Sequence, residues 1–187
     1  MDIQVLATMK ERGEISVFNL NNDIQEYINP PSSFRTEIEV PVGKNKSFVI
    51  RDGDKVLCIR NDYRVETTNG TKTAIFNGWT GRVVGINNHN KTIDIHFPIT
   101  DTTVVLNQAQ IKKNIMLGYA ITIHKAQGSS AKVIVGGIDY STPPQMLCRE
   151  LIYTLLTRAE KECVLVAQTG SLYTAINNSG VIDKSTF

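Results

Sequence analysis

A change of pattern along the chain most constrains how it can fold. Residues 47–112 contain short, closely spaced β-type runs separated by turn signals. The turn dipeptides are Asn69-Gly70 and Asn77-Gly78, and residues 87–91 have the composition of a hairpin loop. The clearest strand patterns lie at residues 56–59, 81–86, 93–97 and 103–106. Short strands at this spacing predict a small β-barrel.

The residues before this segment have the pattern of a strand followed by a helix. Residues 3–7 are a short apolar run, which is typical of a buried strand. Apolar positions then recur at helical spacing after Ser16, a suitable N-cap, and the pair Pro30-Pro31 ends the helix. Residues 32–46 mix Ser, Pro, Gly and Lys, which predicts a linker or an extended loop.

The α/β pattern returns after the β-rich segment. Residues 133–135 and 163–167 predict strands, and the second is almost continuously apolar, as in a buried parallel sheet. Residues 145–159 have the periodicity of a helix. The β-rich segment is therefore predicted to interrupt an α/β domain.

A polar stretch at residues 118–130, GYAITIHKAQGSS, contains several residue types that serve in binding sites. Positions 117, 120, 121 and 124 recur at helical spacing, which predicts a short helix ending at a turn at Gly128. Thr122 and Lys125 would then share one face and could present a hydroxyl and a cation to a phosphate chain. A buried connector helix with a solvated polar face explains these residues equally well.

This stretch resembles motif V of superfamily 1 DNA helicases, in the form found in the RecD-like and TraA-like branch. A second block, residues 151–161 (LIYTLLTRAEK), resembles motif VI of the same family. The elements GDKV, NDY and FNG within residues 53–81 resemble the SH3-like insertion of RecD-like helicases, the exodeoxyribonuclease V alpha subunit family. The resemblance implies a second RecA-like motor domain of P-loop NTPase type, residues 1–46 and 113–187, with an inserted small SH3-like β-barrel, residues 47–112.

The resemblance also implies roles for individual residues. Arg158 matches the arginine finger of motif VI, which is catalytic and contacts the nucleotide, and Gln127 and Gly128 would lie on the nucleotide side of motif V. An exposed salt bridge of Arg158 with Glu150 or Glu162 is the alternative.

Three further residues of motif V, Thr122, His124 and Lys125, would lie near single-stranded DNA or couple the DNA and nucleotide sites. His124 also falls on the apolar stripe of the predicted helix, so a core histidine is the alternative. Ser130 stands where related motifs usually carry an acidic residue that can contact the nucleotide ribose.

The barrel segment contains aromatic residues that could stack on bases, namely Trp79, Phe76 and Tyr63. Basic residues of the same segment could follow a DNA backbone: Arg60, Arg64, Lys72 and Arg82. Filling the small barrel core is the alternative role of the aromatic residues. We favour the core for Phe76, and for Trp79 both roles remain open.

The sequence contains no P-loop of the form G-x-x-x-x-G-K-[ST] and no acidic pair after an apolar strand. We therefore expect a C-terminal fragment of an ATP-dependent DNA helicase that is inactive as an ATPase alone. ATP and Mg²⁺ would serve the parent enzyme, and none is expected on the fragment. The family implies single-stranded DNA, the missing N-terminal motor domain and other helicase–nuclease subunits as partners. The alternative is a non-enzymatic module that binds protein or single-stranded DNA.

Composition adds few limits. The formal net charge is +2, so a nucleic-acid surface could exist only as a local patch. The three cysteines and three histidines are scattered, which predicts neither a disulfide framework nor a metal site. No signal peptide and no membrane-spanning run is evident. We therefore expect a cytoplasmic protein with buried, reduced thiols and no membrane partner.

Overall fold

The computed structural model describes residues 3–41 and 47–179. The strands are β1 (Ile3–Ala7), β2 (Glu37–Pro41), β3 (Ser47–Arg51), β4 (Lys55–Cys58), β5 (Asp62–Thr67), β6 (Lys72–Ile75), β7 (Thr80–Asn87), β8 (Thr92–Phe97), β9 (Thr102–Asn107), β10 (Ile115–Leu117), β11 (Ala120–Thr122), β12 (Ala131–Ile138) and β13 (Ala159–Ala167). The helices are α1 (Val17–Ile28), α2 (Gln108–Asn114), α3 (Arg149–Leu156) and α4 (Thr169–Asn177), with a 3-10 helix at Ile123–Ala126.

The chain forms two compact units. The first, which we call the α/β unit, contains the described residues up to Asn21 and those from Ala120 onward. The second, which we call the β unit, contains the described residues from Asn22 to Tyr119. The boundary falls inside α1 and again immediately before β11.

The α/β unit is built on a parallel sheet with the strand order β11-β1-β12-β13. The buried apolar run of β1 confirms the strand predicted at residues 3–7, and Leu6 is completely buried. Gly136 of β12 lies directly beneath Leu155 of α3, so the missing side chain allows the helix to approach the sheet. This packing places the residues after α3 next to the start of β12.

Two predictions for this unit need correction. The helix predicted at residues 145–159 is shorter, Arg149–Leu156, because Pro143 and Pro144 begin a series of turns before it. The strand predicted as buried is longer, Ala159–Ala167, and lies at the edge of the sheet. Val164 and Val166 are therefore 41% and 52% exposed.

The helix predicted over residues 117–128 is wrong. Residues 115–117 and 120–122 are short strands, and only residues 123–126 are helical, as one 3-10 turn. Strand pairing overrides the helical spacing, since β10 pairs with β4 and β11 pairs with β1. The predicted turn at Gly128 is confirmed, with φ of +84°.

The β unit consists mainly of antiparallel strands in the order β10-β4-β7-β8-β9-β5-β6, with β2 and β3 as a separate pair. The four strands predicted from the sequence are confirmed as β4, β7, β8 and β9, and residues 87–91 connect β7 to β8 as a hairpin. Apolar side chains on alternate positions fill its core, including Ile93, Ile95 and Phe97.

Two features of the β unit differ from prediction. Residues 37–41 of the predicted linker form β2, which pairs with β3 and buries Ile38 and Val40. Residues 42–46 of that linker lie outside the described residues. Helix α2 was not predicted, although the sequence contains its capping box, Asn107 and Gln110. Asn107 Oδ1 accepts a hydrogen bond from the Gln110 amide at 3.0 Å, and Gln110 Oε1 accepts one from the Asn107 amide at 3.1 Å.

Candidate functional site

Arg158 lies at the junction between α3 and β13 and holds the loop at residues 127–130. Its Nη1 donates a hydrogen bond to the Ser129 carbonyl oxygen at 3.1 Å, and its Nη2 donates to Thr157 Oγ1 at 3.3 Å. Arg158 therefore contacts a carbonyl oxygen and a hydroxyl, and not the carboxylate of Glu150 or Glu162 that the alternative required. The Nε of Arg158 is buried without a hydrogen-bond partner among the described residues. A buried donor of this kind can bind an anionic oxygen.

The loop next to Arg158 exposes the other residues predicted to contact a nucleotide. Gln127 and Gly128 are both exposed, and a Cβ on Gly128 would meet nothing within 4 Å, so its positive φ rather than crowding requires glycine. Ser130 Oγ donates a hydrogen bond to Glu160 Oε1 at 2.5 Å. A carboxylate therefore stands beside the position where related motifs usually carry an acidic residue.

Thr122 comes directly before the 3-10 turn, and His124 and Lys125 lie within it. Thr122 Oγ1 accepts a hydrogen bond from the Lys125 backbone amide at 3.3 Å, so the hydroxyl caps the turn. The side chains of His124 and Lys125 are exposed. The core-histidine alternative for His124 is wrong, because residues 120–122 are a strand and the 3-10 turn directs position 124 to solvent.

A groove of about 320 Å³ runs between this turn and the start of α3. His124 and Gln127 form one wall. The remaining lining residues are Ile123, Gln145, Met146, Cys148, Glu150, Leu151 and Thr154. The groove thus contains two of the predicted site residues, His124 and Gln127, and Arg158 contacts the neighbouring loop through the Ser129 carbonyl oxygen.

The β unit contains a row of aromatic rings that leads from the surface to the core. Successive ring centroids are 5.8 Å apart for Tyr63 and Phe76, 5.1 Å for Phe76 and Trp79, and 5.8 Å for Trp79 and Phe97. Tyr63 is 66% exposed and Phe76 38%, whereas Phe97 is buried. The core role predicted for Phe76 is therefore wrong, because Ile75 takes the inward position at the end of β6. Trp79 is half-buried between the exposed and buried rings.

A cationic pocket in the β unit was not predicted from the sequence. Lys55 and Arg82 are opposite each other on β4 and β7 and line a pocket with Tyr119. Burial lowers the pKa of Lys55 to about 8. Burial and a hydrogen bond to Asp54 raise the pKa of Tyr119. The predicted basic residues Arg60, Arg64, Lys72 and Arg82 are all exposed.

The described part of the chain offers no group of three His, Cys, Asp or Glu side chains that could hold a metal ion. Within residues 3–41 and 47–179, no helix is long and apolar enough to cross a membrane.

Comparison with protein families gives two matches. Residues 117–166 match the UvrD-like helicase C-terminal domain. Residues 20–97 match the SH3 domain of ATP-dependent RecD-like DNA helicases.

Individual relatives agree with these matches. The chain is 34% identical over 157 residues to the ATP-dependent RecD2 DNA helicase of Deinococcus radiodurans, covering 84% of this chain and 19% of that protein. It is 28% identical over 129 residues to the RecBCD enzyme subunit RecD of Mycobacterium tuberculosis, covering 69% of this chain and 20% of that protein. The chain thus spans about a fifth of the length of these relatives.

The fold is similar to that of Bacteroides Pif1 bound to single-stranded DNA. The TM-score is 0.59 at 16% sequence identity, with 94% of this chain and 43% of that chain covered. Together with the SH3 match, this similarity confirms the predicted fold class, a RecA-like α/β domain with an inserted SH3-like barrel.

Proposed function

We propose that this chain, a fragment of a RecD-like DNA helicase with an SH3 domain and a UvrD-like helicase C-terminal domain, supplies the arginine finger and part of the single-stranded DNA track of an ATP-dependent motor. The observation that carries the proposal is the contact of Arg158 with the loop at residues 127–130. It joins the two sequence blocks that resemble motifs V and VI in one place.

Arg158 fits a nucleotide phosphate because its buried Nε has no partner among the described residues and its guanidinium is permanently charged. In the longer protein ATP would supply the phosphoanhydride bond whose hydrolysis drives movement, and Mg²⁺ would neutralise part of the phosphate charge. Arg158 would stabilise negative charge on the phosphate oxygens, an effect worth roughly 10³- to 10⁵-fold in rate for arginine fingers. Gln127 and Gly128 would contact the nucleotide, and the Glu160 carboxylate beside Ser130 would take the ribose contact.

Single-stranded DNA would contact the exposed Lys125 and His124 of the α/β unit, with Thr122 holding the turn that presents them. Contacts of this kind bind phosphates and do not read sequence. In the β unit, Trp79 and its exposed neighbours Phe76 and Tyr63 would stack on bases. The similarity to Pif1, whose structure contains single-stranded DNA, supports this partner.

The complete motor would need residues that this sequence lacks, because a P-loop and its acidic partner hold the phosphates and the metal ion. We therefore propose an N-terminal motor domain as the main protein partner and no ATP hydrolysis by this chain alone. Other helicase–nuclease subunits, an exodeoxyribonuclease V assembly and a cytoplasmic location follow from the same family.

A second candidate function is a non-enzymatic module that binds single-stranded DNA or a protein. The exposed aromatic row of the β unit favours it, because such rings bind bases or partner side chains without any nucleotide. A chain of this kind would bind through Trp79 and Phe76 and would be insensitive to changes at Lys125.

Titration of the protein with fluorescently labelled oligothymidylate at two salt concentrations tests the proposal. We expect binding that weakens with salt, and Lys125→Ala should lower the slope of log affinity against log salt by about 0.7, the value of one phosphate contact on a single strand. Lys10→Ala, which removes a 68% exposed lysine of the same unit, is the matched control. Binding that is absent at low salt, or equal for Lys125→Ala and the control, would contradict the proposed track.

Turnover tests the nucleotide role separately. In a complete helicase carrying this region, Arg158→Ala should abolish DNA-stimulated ATP hydrolysis while leaving DNA affinity unchanged, and Arg149→Ala serves as a control at the exposed start of α3. Retained hydrolysis by the Arg158 variant would remove this residue from the site.

A further inference from the structure

The β unit contains an open pocket of about 720 Å³ whose lining residues do not include those of the aromatic row. Its cationic lining residues are Lys55, Arg82 and Arg35, and its acidic one is Asp52. The other lining residues are Ile28, Asn29, Gly53, Val83, Val84 and Tyr119. Three cations against one carboxylate give the pocket a positive balance.

Two of the cations are held next to each other by the sheet. Lys55 of β4 pairs directly with Arg82 of β7 in antiparallel register, so their side chains lie on the same face. Directly opposed residues of this kind have Cβ atoms roughly 4.5–5.5 Å apart, and like charges in this position repel. An anion between the two side chains turns that repulsion into two favourable contacts.

Burial of Lys55 strengthens the case for an anion. Desolvation lowers the pKa of Lys55 to about 8, which means that burial disfavours its charged form and that a nearby anion would favour it. The third cation, Arg35, is anchored by a hydrogen bond from its Nη1 to the Pro30 carbonyl oxygen at 3.1 Å.

The buried Asp54 holds two residues of the pocket wall in place. Its carboxylate accepts hydrogen bonds from Gln25 Nε2, Asn29 Nδ2, the Arg51 amide and the Tyr119 hydroxyl. Asn29 and Tyr119 are therefore fixed in the pocket wall, which makes the wall rigid before a ligand arrives.

We propose that this pocket binds a backbone phosphate of single-stranded DNA, with Lys55 and Arg82 as the two phosphate ligands and Arg35 at the entrance. The inference rests on the proposed function only in taking DNA as the ligand. The volume exceeds what one phosphate fills, and the exposed apolar side chains of Ile28 and Val84 provide contact surface for the attached sugar. A free nucleotide carries the same phosphate chemistry and is separated from DNA by the experiment.

The experiment compares the oligothymidylate affinities of Lys55→Gln, Arg82→Gln and Lys113→Gln by fluorescence anisotropy. Lys113→Gln is the matched control, since it removes an exposed lysine from α2 of the same unit. Each pocket variant should lose about fivefold in affinity at 0.1 M salt, the amount that follows from a salt slope of about 0.7 per phosphate contact. Arg82 is exposed, so Arg82→Gln should remain folded and keeps the test decisive if Lys55→Gln does not fold.

A pH series adds a readout that a purely structural role would not change. At pH 9 the wild-type protein should bind more weakly than at pH 7, whereas Lys55→Arg, which stays charged, should keep its affinity. The other charged or titratable groups that face Lys55 in the pocket are Arg82, Arg35, Asp52 and Tyr119. Burial and the hydrogen bond to Asp54 raise the pKa of Tyr119, so its hydroxyl keeps its proton between pH 7 and pH 9.

The outcomes separate this inference from the proposed function. Wild-type affinity of both glutamine variants, with a loss for Lys125→Ala, would overturn the pocket and leave the proposed track in place. The absence of any DNA binding would overturn both. Competition by ATP or inorganic phosphate at equal phosphate concentration, with the same sensitivity to Lys55→Gln, would assign the pocket to a free phosphate ligand and overturn the assignment to DNA.

Discussion

Replacement of Asp54 by asparagine should destabilise the β unit strongly. The Asp54 side chain is completely buried and accepts hydrogen bonds at 2.5, 2.6, 2.7 and 2.8 Å from Gln25, Asn29, the Arg51 amide and Tyr119. Each carboxylate oxygen serves two of these donors. An asparagine has one acceptor oxygen, so whichever way its amide is turned, two donors face an NH₂ group.

The magnitude follows from the two lost contacts. A hydrogen bond to a charged group is worth about 1.5–3 kcal/mol, so two of them give about 3–6 kcal/mol. Relief of the buried charge offsets part of this loss, and we expect the free energy of unfolding to fall by about 3–5 kcal/mol. A domain of this size has about 5–15 kcal/mol in total, so the variant should be close to unfolding.

Urea denaturation followed by tryptophan fluorescence measures this loss, because Trp79 is the only tryptophan in the sequence and lies in the β unit. Asp101→Asn makes the same chemical change at a side chain that is 97% exposed and should alter stability by less than about 0.5 kcal/mol. A loss below about 1 kcal/mol for Asp54→Asn would refute the reasoning, since it would mean that the four donors do not depend on the charge.

Three further predictions concern packing and titration. Gly118→Ala should lower the free energy of unfolding by about 1–3 kcal/mol, because its Cβ would lie 2.8 Å from the Val56 carbonyl carbon and backbone atoms cannot move aside. An unchanged midpoint in urea denaturation would contradict this. In Gly136→Ala the new Cβ would instead contact the flexible end of the Leu155 side chain, so the loss of unfolding free energy should be smaller. Gly136→Ala should cost less still in a protein that already carries Leu155→Ala, whereas strictly additive losses would rule out the contact. The free energy of unfolding should rise from pH 8 to pH 10, because Lys55 keeps its proton up to about pH 10.5 in the unfolded chain but loses it near pH 8 in the folded protein. Lys55→Met should remove this rise, whereas the control Lys113→Met should keep it.

Local patterns in the sequence identified about half of the regular elements and both family motifs. The alternation of apolar residues is sufficient for strands such as β8, where every second side chain enters the core. The helix that begins after Ser16 and ends before Pro30 follows from two local causes: the Ser16 hydroxyl caps its first turn, and the proline ring cannot continue a helix. The motif blocks around Lys125 and Arg158 are likewise contiguous in the chain, so they are visible without any fold.

The tertiary structure decided every feature that depends on a distant partner. Residues 117–124 have helical spacing, yet residues 115–117 and 120–122 form strands, because β4 and β1 offer them backbone hydrogen bonds that a short isolated helix could not match. The apolar β13 is exposed because it stands at the edge of the sheet, a position that depends on strand order and not on composition. Lys55 and Arg82 are 27 positions apart in the sequence numbering, and only the register of β4 with β7 makes them neighbours. The cationic pair of the pocket therefore depends on strand pairing, whereas the residues of the two motifs are close together in the sequence itself.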